Sequence, residues 1–322
     1  MQELFGISMV NIMVVMLALL FACLAIIAFI AWRRPVIFKL GIRNIPRRKA
    51  QTVLIVVGLM LSTLIIAAAF GTGDTLNHSV SALVYRQLGP VDEIVVASSD
   101  GDGEGEIFSI FSQTIPESSL DTVRELTADR DDVDAIGGIL IAPAPAVNIA
   151  DNDPGEITSF DQITDVAVQS EPWVLVAGLD TDSFESLGGV TDLDGNQVDF
   201  GAFSDTEVLL SESGADKLDA GVGDNIVVMF NNQPALLTVA AVAEDSVLTG
   251  SFGELDEPAM AMQLAPLQQL SGKEGLLSGI GISNTGGDRD GLDLSDTVVN
   301  DLKPELAQHN LGISPIKKDF VE

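Results

Sequence analysis

The stretch Phe38–Asp74, FKLGIRNIPRRKAQTVLIVVGLMLSTLIIAAAFGTGD, decides how the rest of the chain is read. Five cations (Lys39, Arg43, Arg47, Arg48 and Lys49) precede the 19 uncharged residues Thr52–Phe70. At 1.5 Å per helical residue that run covers about 28 Å, close to the roughly 30 Å thickness of a bilayer's hydrocarbon core. A core helix of a soluble domain is the rival reading, but a helix apolar on every side needs soluble partners to cover it, and none lies near in sequence. Working outward, Met9–Trp32 is a second uncharged run, of 24 residues, with Asn11 its one strongly polar side chain. A cleaved signal peptide would place cations before a shorter apolar core. Here Glu3 comes before the run and Arg33-Arg34 come after it, so an anchor is expected.

The charges are sorted along the chain. Of 16 Lys+Arg, seven lie between Arg33 and Lys49, where there is no acid; of 47 Asp+Glu, all but Glu3 lie beyond residue 70. From Gly71 onward the balance is 9 basic minus 46 acidic, or −37. A surface so anionic repels phosphates, so no nucleic-acid partner is expected. Cations in a short loop between two spans place that loop in the cytoplasm. The chain then starts outside (1–32, first transmembrane helix), turns inside (33–50, a basic elbow), crosses again (51–70) and remains outside. Within the elbow, Lys39, Arg43 and Arg47 recur every four residues and Phe38, Ile42 and Ile45 take another face, the pattern of an amphipathic helix lying in the interface, broken by Pro46. Its cations are candidate contacts for anionic lipid or for a cytoplasmic partner, and the pattern leaves both open. The spacings Ala18-xxx-Ala22 and Gly58-xxx-Ser62 would permit close helix approach, and Cys23, the single cysteine, reads as a small apolar residue.

Beyond Phe70, Leu76, Val80, Leu83, Val84 and Leu88 keep a helical spacing until Gly89-Pro90, which predicts a helical stalk over 71–90. Next come a strand (Val91–Ser98), a helix (Pro116–Ala128, with Leu120, Val123 and Leu126 inward) and a strand (Ala135–Asn148). A second β-α-β is expected near the end: Leu276–Ser283, Leu294–His309 and Gly312–Lys317. Between them, Trp173–Leu179, Glu207–Leu210, Asn225–Phe230 and Ala235–Ala243 read as strands, the last two joined at Asn231-Asn232-Gln233, with a short helix at Glu212–Leu218. The fold class is thus membrane-anchored α+β: two transmembrane helices, then an ectodomain of two β-α-β halves (91–149 and 259–322) with a β-rich insert (150–258).

Sites of chemistry are sought and not found. Ser271-Gly272-Lys273-Glu274 lacks the upstream glycine and the Ser/Thr of a phosphate-binding loop. His78 and His309 are too few and too far apart for zinc, and there is no G-x-S-x-G elbow. Asp100-x-Asp102-x-Glu104-Gly105 and Asp192-x-Asp194-Gly195-Asn196 open like calcium loops, but their twelfth positions are Phe111 and Phe203, which supply no carboxylate, so both read as turns. No catalytic residue, metal or cofactor is expected in this chain.

The elbow and the exterior region resemble an FtsX-like or MacB-like permease of an ABC transporter. Leu40, Arg43, Asn44, Arg47, Arg48, Gln51 and Thr52 match that family's basic lead into a membrane helix. VLVAGLDTDSF (Val174–Phe184), EVLLSESGADKLDAGVGDNIVV (Glu207–Val228) and LLTVAAVAED (Leu236–Asp245) keep its order of strand, helix and hairpin. The resemblance implies a permease subunit coupled to a separate cytoplasmic ABC ATPase, which would hydrolyse the ATP. It implies plasma-membrane location, pairing as a homodimer or with a second permease, and movement of the exterior domain for export or lipoprotein and envelope work. Lys39, Arg43, Arg47, Arg48 and Lys49 become the expected contacts with that ATPase or with lipid. Two departures stand out: Met9–Trp32 is an extra span, and the given sequence stops at Glu322, where the family would re-enter the membrane with three more helices. A fragment of a longer permease, or a truncated relative, is therefore expected. The competing class is a membrane-anchored extracellular binding or sensing protein.

Overall fold

The computed structural model describes residues 3–4, 7–33, 35–36, 39, 49–98, 110–150, 152, 167–252 and 257–321. Two compact units divide the chain, Met1–Thr75 and Leu76–Glu322.

In the first unit, helix α1 (Met9–Arg33) contains Val14–Arg33, the one helix among the described residues that is long and apolar enough to cross a membrane, with a mean hydropathy of 3.1. The second apolar run, described over Val53–Ala68, lies inside α2 (Lys49–Leu88), a continuous helix of 40 residues. Side chains on both runs are exposed on all sides, Phe21 at 61% and Leu64 at 66%, as suits contact with lipid. The hydroxyl of Thr63 donates to the carbonyls of Leu59 (3.1 Å) and Met60 (3.0 Å), so this polar group is satisfied within the apolar helix. Of the expected elbow, residues 34, 37, 38 and 40–48, Pro46 among them, lie outside the described residues.

In the second unit the end of α2 leads into β1 (Glu93–Ala97), α3 (Ser119–Thr127), β2 (Val133–Ile141), β3 (Ala144–Asn148), β4 (Gln169–Leu179), α4 (Thr181–Ser186), β5 (Glu207–Ser211), α5 (Glu212–Leu218), β6 (Asn225–Phe230), β7 (Gln233–Ala243), β8 (Ala259–Gln263), α6 (Leu264–Ser271), β9 (Gly279–Asn284), α7 (Ser295–Ala307), β10 (Leu311–Ser314) and α8 (Ile316–Val321). The ten strands form one sheet in the order β8-β5-β7-β6-β3-β4-β2-β9-β1-β10.

Its last four strands, β2-β9-β1-β10, are antiparallel throughout. With α3 and α7 as the crossovers of β1-α3-β2 and β9-α7-β10, this is the strand order of a split β-α-β, ferredoxin-like layer. The two expected β-α-β segments thus interleave: β9 from the end of the chain lies between β1 and β2 from its start. The other strands close into a ring, because β8 pairs in parallel with β4 as well as antiparallel with β5. Strand β4 belongs to both parts, with Gln169–Val174 against β3 and Ala177–Leu179 against β2.

Local chemistry accounts for the differences from the sequence expectation. Ala135–Asn148 is two strands, because Pro143 has no N–H to offer a ladder and the chain passes there from the four-stranded layer into the ring. The expected last strand stops at Ser314, before Pro315, and Ile316–Val321 is helical. The β6–β7 hairpin turns on Asn231 and Asn232, both at positive φ (49° and 64°), the left-handed pair that a two-residue turn needs. Helix α4 begins on Asp180, whose carboxylate accepts from the Ser183 N–H at 2.7 Å. Two clusters of apolar residues fill the core, one including Leu140, Val176, Leu210, Val228, Met260 and Ile280, the other including Ile94, Ile141, Leu179, Phe184 and Phe200, whose last two rings stack at 4.3 Å.

Gly250 ends a short 3₁₀ turn at φ 90°, and a Cβ there would lie 2.8 Å from the carbonyl oxygen of Met260. Gly188 has nearly the same φ, +89°, with open space around it. We expect Gly188→Ala to cost about 1–2 kcal/mol, from the left-handed backbone alone, and Gly250→Ala to cost about 2–4 kcal/mol because backbone must also shift. Thermal unfolding of the two variants side by side checks the order.

Candidate functional site

The stalk ends in a set of buried charges. Helix α2 stops where Gly89 turns left-handed (φ 51°) and its N–H reaches the Tyr85 carbonyl at 3.2 Å. Pro90 prevents continuation, and the Asp92 N–H, bonded to the Ile282 carbonyl at 2.8 Å, brings the chain onto the sheet. Val84, Gln87 and Leu88 on the stalk are buried, so its lower end is part of the core of this unit.

Asp92, Glu93, Asn284, Ser295 and Lys317 are each fully buried. Asp92 Oδ1 accepts from Lys317 Nζ at 2.7 Å, an ion pair inaccessible at both ends. Its Oδ2 accepts from the Asn284 N–H at 2.8 Å, and its carbonyl accepts from the Lys317 N–H at 3.2 Å. Lys317 Nζ also reaches the Asp288 carbonyl at 3.2 Å. On the opposite face of β1, Glu93 Oε1 accepts from Asn284 Nδ2 at 2.7 Å, and Nδ2 donates as well to the Gly291 carbonyl at 3.1 Å. A Cβ on Gly291 would lie 2.7 Å from Asp92 Oδ2, so this position takes glycine for want of room. Near the surface the guanidinium of Arg289 sits 5.5 Å from the Tyr85 ring centre, a cation–π contact back to the stalk.

Burial pushes the Asp92 carboxyl above the usual carboxylate range, opposed by the Lys317 ammonium and the Asn284 N–H. Glu93 is pushed up to about 7, by burial first, with the neighbouring Ser295 hydroxyl and Asn284 amide opposing it. Six parts of the chain meet here: the end of α2, β1, β9, the 287–294 segment, the start of α7, and α8. Beside them opens a cleft of about 400 Å³ lined by Arg86, Gly189, Gln197, Asp245, Leu248 and Asp288 among others. The chemistry of the cluster is that of a fastening. One cation is held by one carboxylate, and hydrogen bonds from backbone and amide cover the rest.

Of the residues singled out by sequence, Lys39 and Lys49 are exposed, on helical residues. Arg43, Arg47 and Arg48 lie outside the described residues, as do Asp100, Asp102 and Glu104. Asp192 Oδ1 accepts from the N–H of Asp194 (3.0 Å) and of Asn196 (2.8 Å), with Gly195 at φ 86°, the turn expected there. Those bonds, led by the Asn196 side chain, hold the Asp192 carboxyl below its ordinary range. Gly272 of Ser271-Gly272-Lys273 is the left-handed cap of α6, and Lys273 Nζ donates to the Ile141 carbonyl at 3.1 Å. No group of three or more metal-ligating side chains occurs among the described residues. The buried cluster was not found by sequence reasoning. Its one signal is Asp92-Glu93 inside the apolar run Val91–Ala97, where adjacent strand residues face opposite ways and both carboxylates are nevertheless inside.

One apolar helix long enough to cross a membrane, in the first unit, and an α+β second unit are the features of a membrane-anchored protein with an exterior domain. The profile of the MacB-like periplasmic core domain matches residues 52–285. The chain belongs to that family, the MacB-like ABC transporter family. Among solved structures it is similar to the extracellular domain of the noncanonic ABC-type transporter YknZ from Gram-positive bacteria, at 12% identity and a TM-score of 0.42, over 70% of this chain and 99% of that one. It is also similar to the periplasmic region of MacB from Actinobacillus actinomycetemcomitans, at 14% identity and a TM-score of 0.43, over 70% of this chain and 89% of that one. No curated protein matches it in sequence.

The ion pair gives a direct test. Lys317→Met leaves the Asp92 carboxylate buried without its cation and is expected to cost about 3–5 kcal/mol. Adding Asp92→Asn to it should recover most of that loss, since no uncompensated charge remains. Chemical denaturation of the single and double variants makes the comparison.

Proposed function

We propose that this chain is a permease subunit of an ABC transporter that converts the closure of a separate cytoplasmic ATPase into movement of its extracytoplasmic domain. The single observation that carries the reading is α2, which runs unbroken from Lys49 to Leu88. Forty helical residues extend about 60 Å, twice the hydrocarbon thickness. The helix begins at the cation Lys49, and its last residue, Leu88, lies four positions before Asp92 of the Asp92–Lys317 pair. A helix transmits displacement along its length because its backbone hydrogen bonds are all internal, whereas a flexible linker would absorb it.

In this reading Thr52–Phe70 is the second span, and the elbow faces the cytoplasm. Lys39, Arg43, Arg47, Arg48 and Lys49 meet the ATPase or the anionic inner leaflet. Catalysis lies in the partner, and the chain's own work is mechanical: export, or lipoprotein and envelope work. A second permease copy completes the translocating unit, either this same chain or a relative. Family membership through the periplasmic core domain supports the transporter setting.

Charge reversal in the elbow tests the reading. Arg43→Glu with Arg47→Glu is expected to abolish co-purification of the cytoplasmic ABC ATPase, while the protein still inserts and the thermal midpoint of its exterior unit is unchanged. Retention of the ATPase by the variant contradicts the assignment. Binding of a soluble ligand by wild type, with no ATPase recovered under any condition, favours a membrane-anchored receptor instead.

A further inference from the structure

The buried cluster at the foot of the stalk has more negative groups than it has cations. Asp92, just before β1, and Glu93, its first residue, are both fully buried, and Lys317 is the cation beside them. Lys317 Nζ bonds Asp92, not Glu93. Within this cluster, among the described residues, three buried oxygens make no hydrogen bond: Glu93 Oε2, Asn284 Oδ1 and Ser295 Oγ. The Asn284 amide already gives its Nδ2 to Glu93 Oε1 and the Gly291 carbonyl, so it has nothing left for the second carboxylate oxygen. A buried carboxylate with an unpaired oxygen and no cation of its own is costly, and holding a proton removes both problems at once.

The neighbours leave few other sources of charge. From β9 comes the neutral Asn284, and from the start of α7 the neutral Ser295. Asp296, next along α7, is held by Lys318 of α8 at 2.7 Å, at the surface. Asp288, in the 287–294 segment, acts on Asp92, raising it further. Arg289 lies over Tyr85, Arg86 of the stalk is exposed in the cleft, and Asp319 of α8 is exposed.

We propose that Asp92, Glu93, Asn284 and Lys317 form a proton-operated clasp that fastens α8 to the foot of the stalk, closed while Glu93 carries a proton and loosened when that proton leaves. The ionised Glu93 sets a second negative charge beside Asp92, with no cation of its own, and so favours opening of the cluster to water. The Glu93 carboxyl, raised from 4.5 to about 7, changes form near neutrality. Because the folded state holds the proton more tightly than the opened one, the stabilisation is complete below pH 4.5, declines as pH rises from there to about 7, and changes no further above that. The clasp goes beyond the transporter reading and does not depend on it, since it stands on the buried groups alone.

Hydrogen exchange of the full chain in lipid nanodiscs at pH 6 and pH 8.5, corrected for the intrinsic rate of each amide, tests the clasp. Wild-type Leu311–Val321 is expected to lose about tenfold in protection between the two values, the ratio that a shift from 4.5 to about 7 yields. The β6–β7 hairpin should keep its protection. Glu93→Gln, which is neutral at both values, should hold Leu311–Val321 equally protected at each. Should that variant fail to fold, the wild-type comparison decides alone. Equal wild-type protection at both pH values overturns the clasp, as does an equal loss across the whole sheet or the same local loss in Glu93→Gln.

Discussion

The cost of taking charge out of water organises this protein at two scales. Along the chain the uncharged run Thr52–Phe70 separates seven cations from 46 acids. Within the folded exterior unit the same cost applies to a few side chains. With a balance of −37 after residue 70, nearly all the carboxylates have to remain in water. Asp92 and Glu93 do not, and the structure around them consists of what their burial requires: an ammonium, a backbone N–H, an amide, and a glycine that leaves room.

That requirement fixes where the stalk meets the sheet. Strand β1 leaves α2 after four residues and enters the middle of the four-stranded layer, between β9 and β10. Asp92 then draws in α8 through Lys317 and β9 through Asn284, so the beginning and the end of this unit are held at one point. From there rigidity extends through β9 and β2 to β4, which is shared with the ring of six strands. A displacement of the stalk's foot is thus delivered to a continuous hydrogen-bonded sheet. Packed layers of this kind respond by discrete shifts rather than by bending.

Elements with strong periodicity were legible in the sequence. The stalk's end at Gly89-Pro90, helix Glu212–Leu218 and strand Asn225–Phe230 are where hydrophobic spacing and turn residues put them. The ferredoxin-like interleaving was not legible, because pairing β1 with β9 joins residues nearly 190 positions apart and no local pattern encodes a partner. Ring closure by β8 was missed for a related reason: Ala259–Gln263, AMAMQ, is short, buried on both faces and shows no alternation. The clasp was hidden by composition. Among 47 acids one adjacent pair stands out only by its place in an apolar run, and Lys317 reads in sequence as the end of a strand, although Pro315 breaks that strand and a helix carries the lysine.

The protein's proposed action rests on a two-sided chain, acids outside and elbow inside, joined by one helix. Single cysteines at Asp194 and at Arg43, placed in a Cys23→Ser background and labelled in intact cells with a membrane-impermeant maleimide, test this most directly. Labelling at 194 with protection at 43 until the membrane is permeabilised is the predicted result. Protection at 194 together with labelling at 43 would contradict the orientation, and with it the proposed coupling to a cytoplasmic ATPase.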